Sequence, residues 1–243
     1  GTGIGIFFFF FDPVSNYKNK MIGSRVTGAL QILAVFQQKI YRNLEGQFCF
    51  GITHYSNGNT ALPNFGVNMP NFTLGLNYWV EQKKKEAPLY QPAKYKGSNH
   101  YQVMFAPGFK QYNDVYPKTY FVATLSGVYL RQLGRKSKLG GGVDIFYDLT
   151  NYFSDNPAAI GRPAAFDKSI EVGVKAGYDL VIGKVNLVMQ AGVYLYAPTG
   201  AHTLTYQRVG VKYDFWKCLS AGVYLKTHQT VADYIEWGVG AHF

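Results

Sequence analysis

An all-β chain folded as an antiparallel transmembrane β-barrel is predicted from three observations. First, the 243 residues include 20 Tyr, 18 Phe and 27 Gly, spread over many short segments in which apolar residues alternate with polar or small ones. Each segment is weak evidence alone, but the series is the signature of strands that face lipid on one side and a lumen on the other. Second, no uninterrupted apolar run of 18 residues is present to cross a bilayer as a helix. Third, the segments reach ten residues or more, and a sheet in hydrocarbon must close because an open edge leaves backbone groups unpaired. About twelve strands are expected, more if the chain belongs to a longer one, within a single domain over residues 1–243.

In chain order, residues 2–11 read as the first strand, with Phe7 to Phe11 breaking strict alternation at an aromatic girdle. Residues 12–25 are polar and read as a loop. Ala29, Leu30, Ile32, Leu33 and Phe36 fit an amphipathic helix as well as a strand over 26–40; the strand keeps the hairpin series in phase. A strand over 45–55 returns through 72–80, followed by a long basic connection, 81–99. Further strands are expected near 100–110, 119–131, 138–149, 168–180, 184–196, 202–214, 218–227 and 233–243.

Alternation is clearest late in the chain. Ile170, Val172, Val174, Ala176, Tyr178 and Leu180 share one parity, and Glu171, Gly173, Lys175, Gly177 and Asp179 the other. Ile235, Trp237, Val239, Ala241 and Phe243 oppose Glu236, Gly238, Gly240 and His242 in the same way. Charges and glycines belong to the lumen. Asp144, Asp148, Glu171, Lys175, Glu236 and His242 are therefore expected in luminal ion-pair and hydrogen-bond layers, and Tyr194, Phe146 and Tyr224 to fill the interior against use as a channel. Connections near 41–44, 132–137, 181–183 and 215–217 are short, and 12–25, 56–71, 111–118 and 150–167 generally longer, as periplasmic turns and extracellular loops are. Both chain ends then lie on the periplasmic side of a bacterial outer membrane.

The formal net charge of +10 does not indicate nucleic acid: the lysines gather in Glu81–Glu86 and Lys94–Lys96, between strands, without a recognised nucleic-acid-binding motif. Anionic lipid or lipopolysaccharide is the better partner for such a charge. Cys49 and Cys218 offer neither metal spacing nor a disulfide framework. His100, His202 and His228 lack paired ligand spacing, and neither metal nor cofactor is expected. The start, Gly1-Thr2-Gly3-Ile4, is already strand-like, so a leader has been removed or the chain begins within a longer one.

One stretch carries chemistry. Phe48, Phe50 and Ile52 share a parity that continues into His54 and Ser56, so a strand puts all five on one face. Two residues along a strand separate Cα atoms by roughly 6.6 Å, a gap that two leaning side chains can close to make a base–nucleophile pair. Asn57 and the backbone around Gly58 can face a developing oxyanion. A polar patch followed by an Asn-Gly turn fits the same residues.

His54-Tyr55-Ser56-Asn57 followed by Pro63-Asn64-x-Gly66 resembles the active-site segment of the outer-membrane lipid A 3-O-deacylases (PagL-like), and particularly the longer acyloxyacyl-hydrolase-like barrel proteins. The resemblance covers about residues 45–80. It implies an esterase embedded in the outer membrane with its triad on the barrel exterior: His54 as base, Ser56 as nucleophile and Asn57 at the oxyanion site. The family's glutamate falls at Asn68, so the orienting group here is a neutral amide. Phe48, Phe50, Ile52, Leu74, Leu76 and Tyr78 would hold the acyl chain, with membrane lipid or lipopolysaccharide as partner. The alternative is a non-catalytic outer-membrane scaffold, or a subunit of a larger envelope complex, whose esterase site has decayed.

Overall fold

Alternation along each strand decides what is buried, and it does so in the reverse of a water-soluble core. The computed structural model describes residues 2–8, 10–80, 96–112, 118–155, 158, 166–198, 203–229 and 231–243. The basic run 81–86, Lys94, residues 161–163 and His202 lie outside them. The strands are β1 (Thr2–Ile6), β2 (Val26–Tyr41), β3 (Leu44–Ser56), β4 (Val67–Tyr78), β5 (Ser98–Gln111), β6 (Thr119–Gly134), β7 (Ser137–Asp148), β8 (Ile170–Ile182), β9 (Val185–Tyr196), β10 (Thr205–Asp214), β11 (Leu219–His228) and β12 (Val231–His242). All pairings are antiparallel. The chain divides into two compact units, Gly1–Asn57 with Pro63–Lys94, and Gly58–Leu62 with Tyr95–Phe243.

In the second unit β5 to β12 form a closed barrel, sealed where β12 pairs with β5 through Val239↔Phe105 and Ala241↔Val103. Eight strands give an interior that side chains alone can fill. Phe146 and Tyr206 are fully buried there, with Tyr194 and Tyr224 nearly so. A Cβ at Gly173 would stand 2.6 Å from Tyr206 Cε1, which is why a glycine belongs on the luminal parity. Asp144, Asp148, Glu171, Lys175 and Glu236 pair in the lumen as expected. Lys175 Nζ lies 2.7 Å from Asp144 Oδ1, Arg208 Nε 2.6 Å from Glu236 Oε1, and Lys110 Nζ 2.6 Å from both Asp148 and Asp233. Lys226 sits 3.2 Å from Asp233 and 3.7 Å from Glu171. Outside, Val103, Phe105, Val143, Trp237 and Val239 are exposed, an apolar surface that only lipid solvates favourably.

Several expectations need correction here. The closed barrel holds eight strands rather than about twelve; three long strands, β2 to β4, and the short β1 form a separate four-stranded sheet in the order β1-β2-β3-β4. The first strand ends at Ile6 and does not run to residue 11. Consecutive phenylalanines cannot all satisfy one apolar face, and the chain leaves the sheet, with Phe7 N–H donating to Arg25 O (2.8 Å) and Phe11 N–H to Ile22 O (2.7 Å). The ambiguous segment 26–40 is strand, paired with β3 from Gly28↔Ser56 to Tyr41↔Leu44. β4 begins five residues earlier than the expected 72, at Val67, opposite Tyr55. Its Pro70 is tolerated because β4 is the last strand of its sheet. The connection 150–167 contains a short helix, α1 (Thr150–Asp155), and β11 meets β12 across only residues 229–230, at the end where longer loops were expected.

Candidate active site

The register of the first sheet builds the site. Directly opposed residues of antiparallel strands project to the same face, and β3 aligns with β4 as Phe48↔Leu74, Phe50↔Phe72, Ile52↔Pro70 and His54↔Asn68, with Gly46↔Leu76 and Leu44↔Tyr78 beyond. β2 adds Phe36, Ala34, Ile32 and Leu30 opposite Phe48, Phe50, Ile52 and His54. The apolar strip expected from the sequence (Phe48, Phe50, Ile52, Leu74, Leu76 and Tyr78) thus lies on the face that carries His54, Ser56 and Asn68 at one end. All six strip residues are exposed, Leu74 by 83%. At the far end of the strip a shallow depression of about 690 Å³ is lined by Phe36, Phe48, Leu74, Leu76 and the bare Gly46.

The opposite face carries amides and hydroxyls, with Glu45 opposite Lys39 at its far end. Thr53 Oγ1 accepts from Gln31 Nε2 (3.0 Å) and Asn71 Nδ2 (2.8 Å), and Gln47 Oε1 from Asn77 Nδ2 (3.1 Å). This division fixes register strongly, because a slip of one residue would exchange amides for phenylalanines. It also holds the polar site residues at a defined place on an otherwise greasy surface.

His54 Nδ1 lies 2.7 Å from Asn68 Oδ1. An amide oxygen only accepts, so Nδ1 carries the proton and Nε2 presents its lone pair. The Nε2–Cε1 edge abuts Gly66: a Cβ there would stand 2.7 Å from Cε1 and 3.2 Å from Nε2. Gly66 has φ of 74°, a conformation in which glycine is unstrained. Ser56 leaves β3 on the same face as His54, and its Oγ accepts a hydrogen bond from Asn64 Nδ2 at 2.8 Å.

Asn64 is the residue that the strand pattern missed. Besides Ser56 it reaches the Asn57 backbone, whose N–H donates to Asn64 Oδ1 at 3.1 Å, so both ends of its amide are held. Only the Pro63-Asn64-x-Gly66 motif pointed to it, since a loop residue has no alternation to betray its direction. Asn57 itself is buried, and its side chain donates to Ser24 Oγ at 2.9 Å. Gly58 belongs to the second unit. With φ of 59° beside Asn59 at 62° it starts a tight turn centred on Gly58 and Asn59, one residue on from the Asn57-Gly58 pair, and a Cβ on it would collide with Ile235. Glu45 pairs with Lys39 and Asn77 at the other end of the strand, and the luminal carboxylates are bound to luminal cations.

Residues 1–77 match the family model of lipid A 3-O-deacylase (PagL), and residues 99–243 match that of the acyloxyacyl hydrolase C-terminal domain. No curated protein matches. Among solved structures, a mutant of the Rhodopseudomonas blastica porin aligns at 8% identity over 90% of this chain and 91% of that one, with a TM-score of 0.22. A triple mutant of the same porin aligns at 9% identity with the same coverage and score; at that score the likeness carries no argument. The acyloxyacyl hydrolase match spans more than half of the chain and, with the lipid A 3-O-deacylase (PagL) match ahead of it and the closed barrel, shows that the chain belongs to the acyloxyacyl hydrolase family of integral outer-membrane β-barrel hydrolases.

Proposed function

We propose that His54, Ser56 and Asn68 carry out the hydrolysis, and that the acyl chain lies along the strip from Ile52 towards Leu76 while it is cut. The observation that carries this reading is the 2.7 Å contact between His54 Nδ1 and Asn68 Oδ1, which leaves Nε2 as the basic nitrogen on the face shared with Ser56. His54 Nε2 takes the Ser56 proton as Oγ attacks the ester carbonyl. Asn64 Nδ2, already 2.8 Å from Ser56 Oγ, donates to the oxyanion, and Asn57 supports it by fixing the Asn64 amide. The intermediate collapses as His54 returns the proton to the leaving alcohol oxygen. Water then attacks the acyl-serine, again through His54, and releases the fatty acid.

The lipid need not leave the leaflet for any of this. Moving each methylene into water would cost about 0.8 kcal/mol, and an exposed apolar strip ending at the nucleophile avoids that cost. Lipid A is the substrate class the family implies.

Mass spectrometry of lipid A from membranes carrying the wild type, Ser56→Ala and His54→Ala tests the assignment. The wild type should remove one ester-linked chain and both variants should leave it. A fluorophosphonate probe should label the wild type and spare Ser56→Ala. The same acyl pattern in all three, with equal labelling, would remove these residues from the reaction.

A further inference from the structure

We propose that the loop between β1 and β2 binds the anionic phosphate of the lipid headgroup through Lys18, Lys20 and Arg25, and thereby makes the enzyme selective for phosphorylated lipid. The inference rests on the ester-hydrolysis reading above and adds the recognition element that reading lacks.

The register places the loop. β1 and β2 meet at Ile6↔Val26, and Gly28 of β2 lies opposite Ser56, so the loop leaves the sheet at the end where the serine sits. It is then fastened to the loop that carries the other site residues. Gly66 N–H donates to Met21 O (2.9 Å), Phe65 N–H to Lys20 O (3.4 Å) and Asn57 Nδ2 to Ser24 Oγ (2.9 Å). Gly66 in turn abuts His54. Lys20 is thus tied by its own carbonyl to the residue next to the one that backs the imidazole.

The loop's charge is one-sided. Over residues 10–25 Lys18, Lys20 and Arg25 face a single carboxylate, Asp12, and Asp12 is turned into its own bend. Its Oδ1 accepts from Ser15 N–H (2.6 Å), Val14 N–H (2.9 Å) and Ser15 Oγ (2.9 Å). The three cations are exposed and rest on aromatic rings: Lys20 5.3 Å from the Phe11 centroid, Arg25 5.6 Å from Phe10 and Lys18 5.8 Å from Tyr17. Phe8, Val14, Tyr17 and Phe65 are exposed beside them. Aromatic rings with cations at a strand end are what a headgroup layer solvates. Each Lys or Arg near an anionic surface strengthens attraction to it, and Arg grips phosphate oxygens in pairs.

The test compares the full chain, in vesicles, on bis-phosphorylated lipid A and on its dephosphorylated form. The wild type should show a KM lower by about tenfold or more for the phosphorylated lipid. Lys18→Gln/Lys20→Gln/Arg25→Gln should treat the two alike, with kcat little altered, and Lys18→Arg/Lys20→Arg should keep the preference. Heat-modifiable mobility in SDS checks that each variant folds, and single Lys20→Gln, with part of the effect, serves if the triple variant does not.

Binding of phosphorylated and dephosphorylated lipid A to the Ser56→Ala protein held in phosphatidylcholine nanodiscs reads recognition without turnover. Preference in binding combined with no hydrolysis by the wild type would overturn the catalytic assignment alone. Equal discrimination by parent and triple variant would overturn the loop proposal alone. Inorganic phosphate at millimolar concentration should fail to displace the bound lipid A. Displacement would make this a free-phosphate site and overturn headgroup recognition.

Discussion

His54 and Asn68 are cross-strand partners, fourteen residues apart in the chain and 2.7 Å apart between Nδ1 and Oδ1. The pair is made by the β3–β4 ladder, so the imidazole is oriented by the sheet itself. A neutral amide fixes the tautomer but stabilises the imidazolium less than a carboxylate would, since charge-assisted hydrogen bonds are roughly twice as strong. Asn68→Glu should therefore raise kcat by about tenfold, and Asn68→Leu should lower it by about a hundredfold, both measured on lipid A in detergent with folding checked by electrophoretic mobility.

Asn64 donates to Ser56 Oγ and accepts from Asn57 N–H. If its amide meets the oxyanion, Asn64→Ala should cost on the order of 10² to 10³ in kcat with a much smaller change in KM. Fluorophosphonate labelling should slow in proportion, and Asn64→Asp, which keeps the acceptor and loses the donor, should be nearly as impaired as Asn64→Ala.

Gly66→Ala should disturb the imidazole without unfolding the sheet. The new methyl would meet His54 Cε1 at 2.7 Å and Tyr55 O at 2.9 Å, on a residue with φ of 74°. The backbone strain alone is worth about 1 to 3 kcal/mol. The expected outcome is at least a tenfold fall in kcat with full heat-modifiable mobility. Normal kcat would show that the imidazole position does not depend on this contact.

Removing a charge inside the barrel and adding one outside it should both destabilise the fold. Asp144 serves Lys175 (2.7 Å), Arg208 (3.3 Å) and the Tyr206 hydroxyl (2.8 Å). Asp144→Ala leaves buried cations short of their anion and should cost about 3 to 5 kcal/mol. Its lipid-facing neighbour Val143 is exposed. Val143→Leu should be nearly neutral, and Val143→Arg should cost about 2 to 4 kcal/mol if the residue lies near mid-bilayer. Urea-dependent folding into vesicles measures all three.

Strand existence and facing were legible because period-two alternation survives the reversal of inside and outside. The Glu171–Asp179 parity and the His54–Ser56 face follow from it directly. That a sheet closes was expected, but its seam was not legible: a pattern says which face of β5 is buried, but not that β12 is the neighbour that seals it. Nor was the irregularity between Lys226 and Thr227, which lets the consecutive residues Asp233 and Tyr234 both be buried. The base and nucleophile could be proposed from spacing, while Asn64 sits in a loop whose direction only the folded contacts fix.

The packed bore of the eight-stranded barrel bears on what the outer membrane gains by carrying this protein. Tyr206, Phe146, Tyr224 and the Arg208–Glu236 pair stop the passage, and a cleft among Gln102, Met104, Ser126 and Tyr224 admits about 10 Å³, about the room one water needs. A cell that inserts many copies should therefore remodel its surface lipid without becoming leakier to small solutes through this barrel. Its tolerance of bulky hydrophilic antibiotics would then be governed by the altered leaflet and not by a new pore.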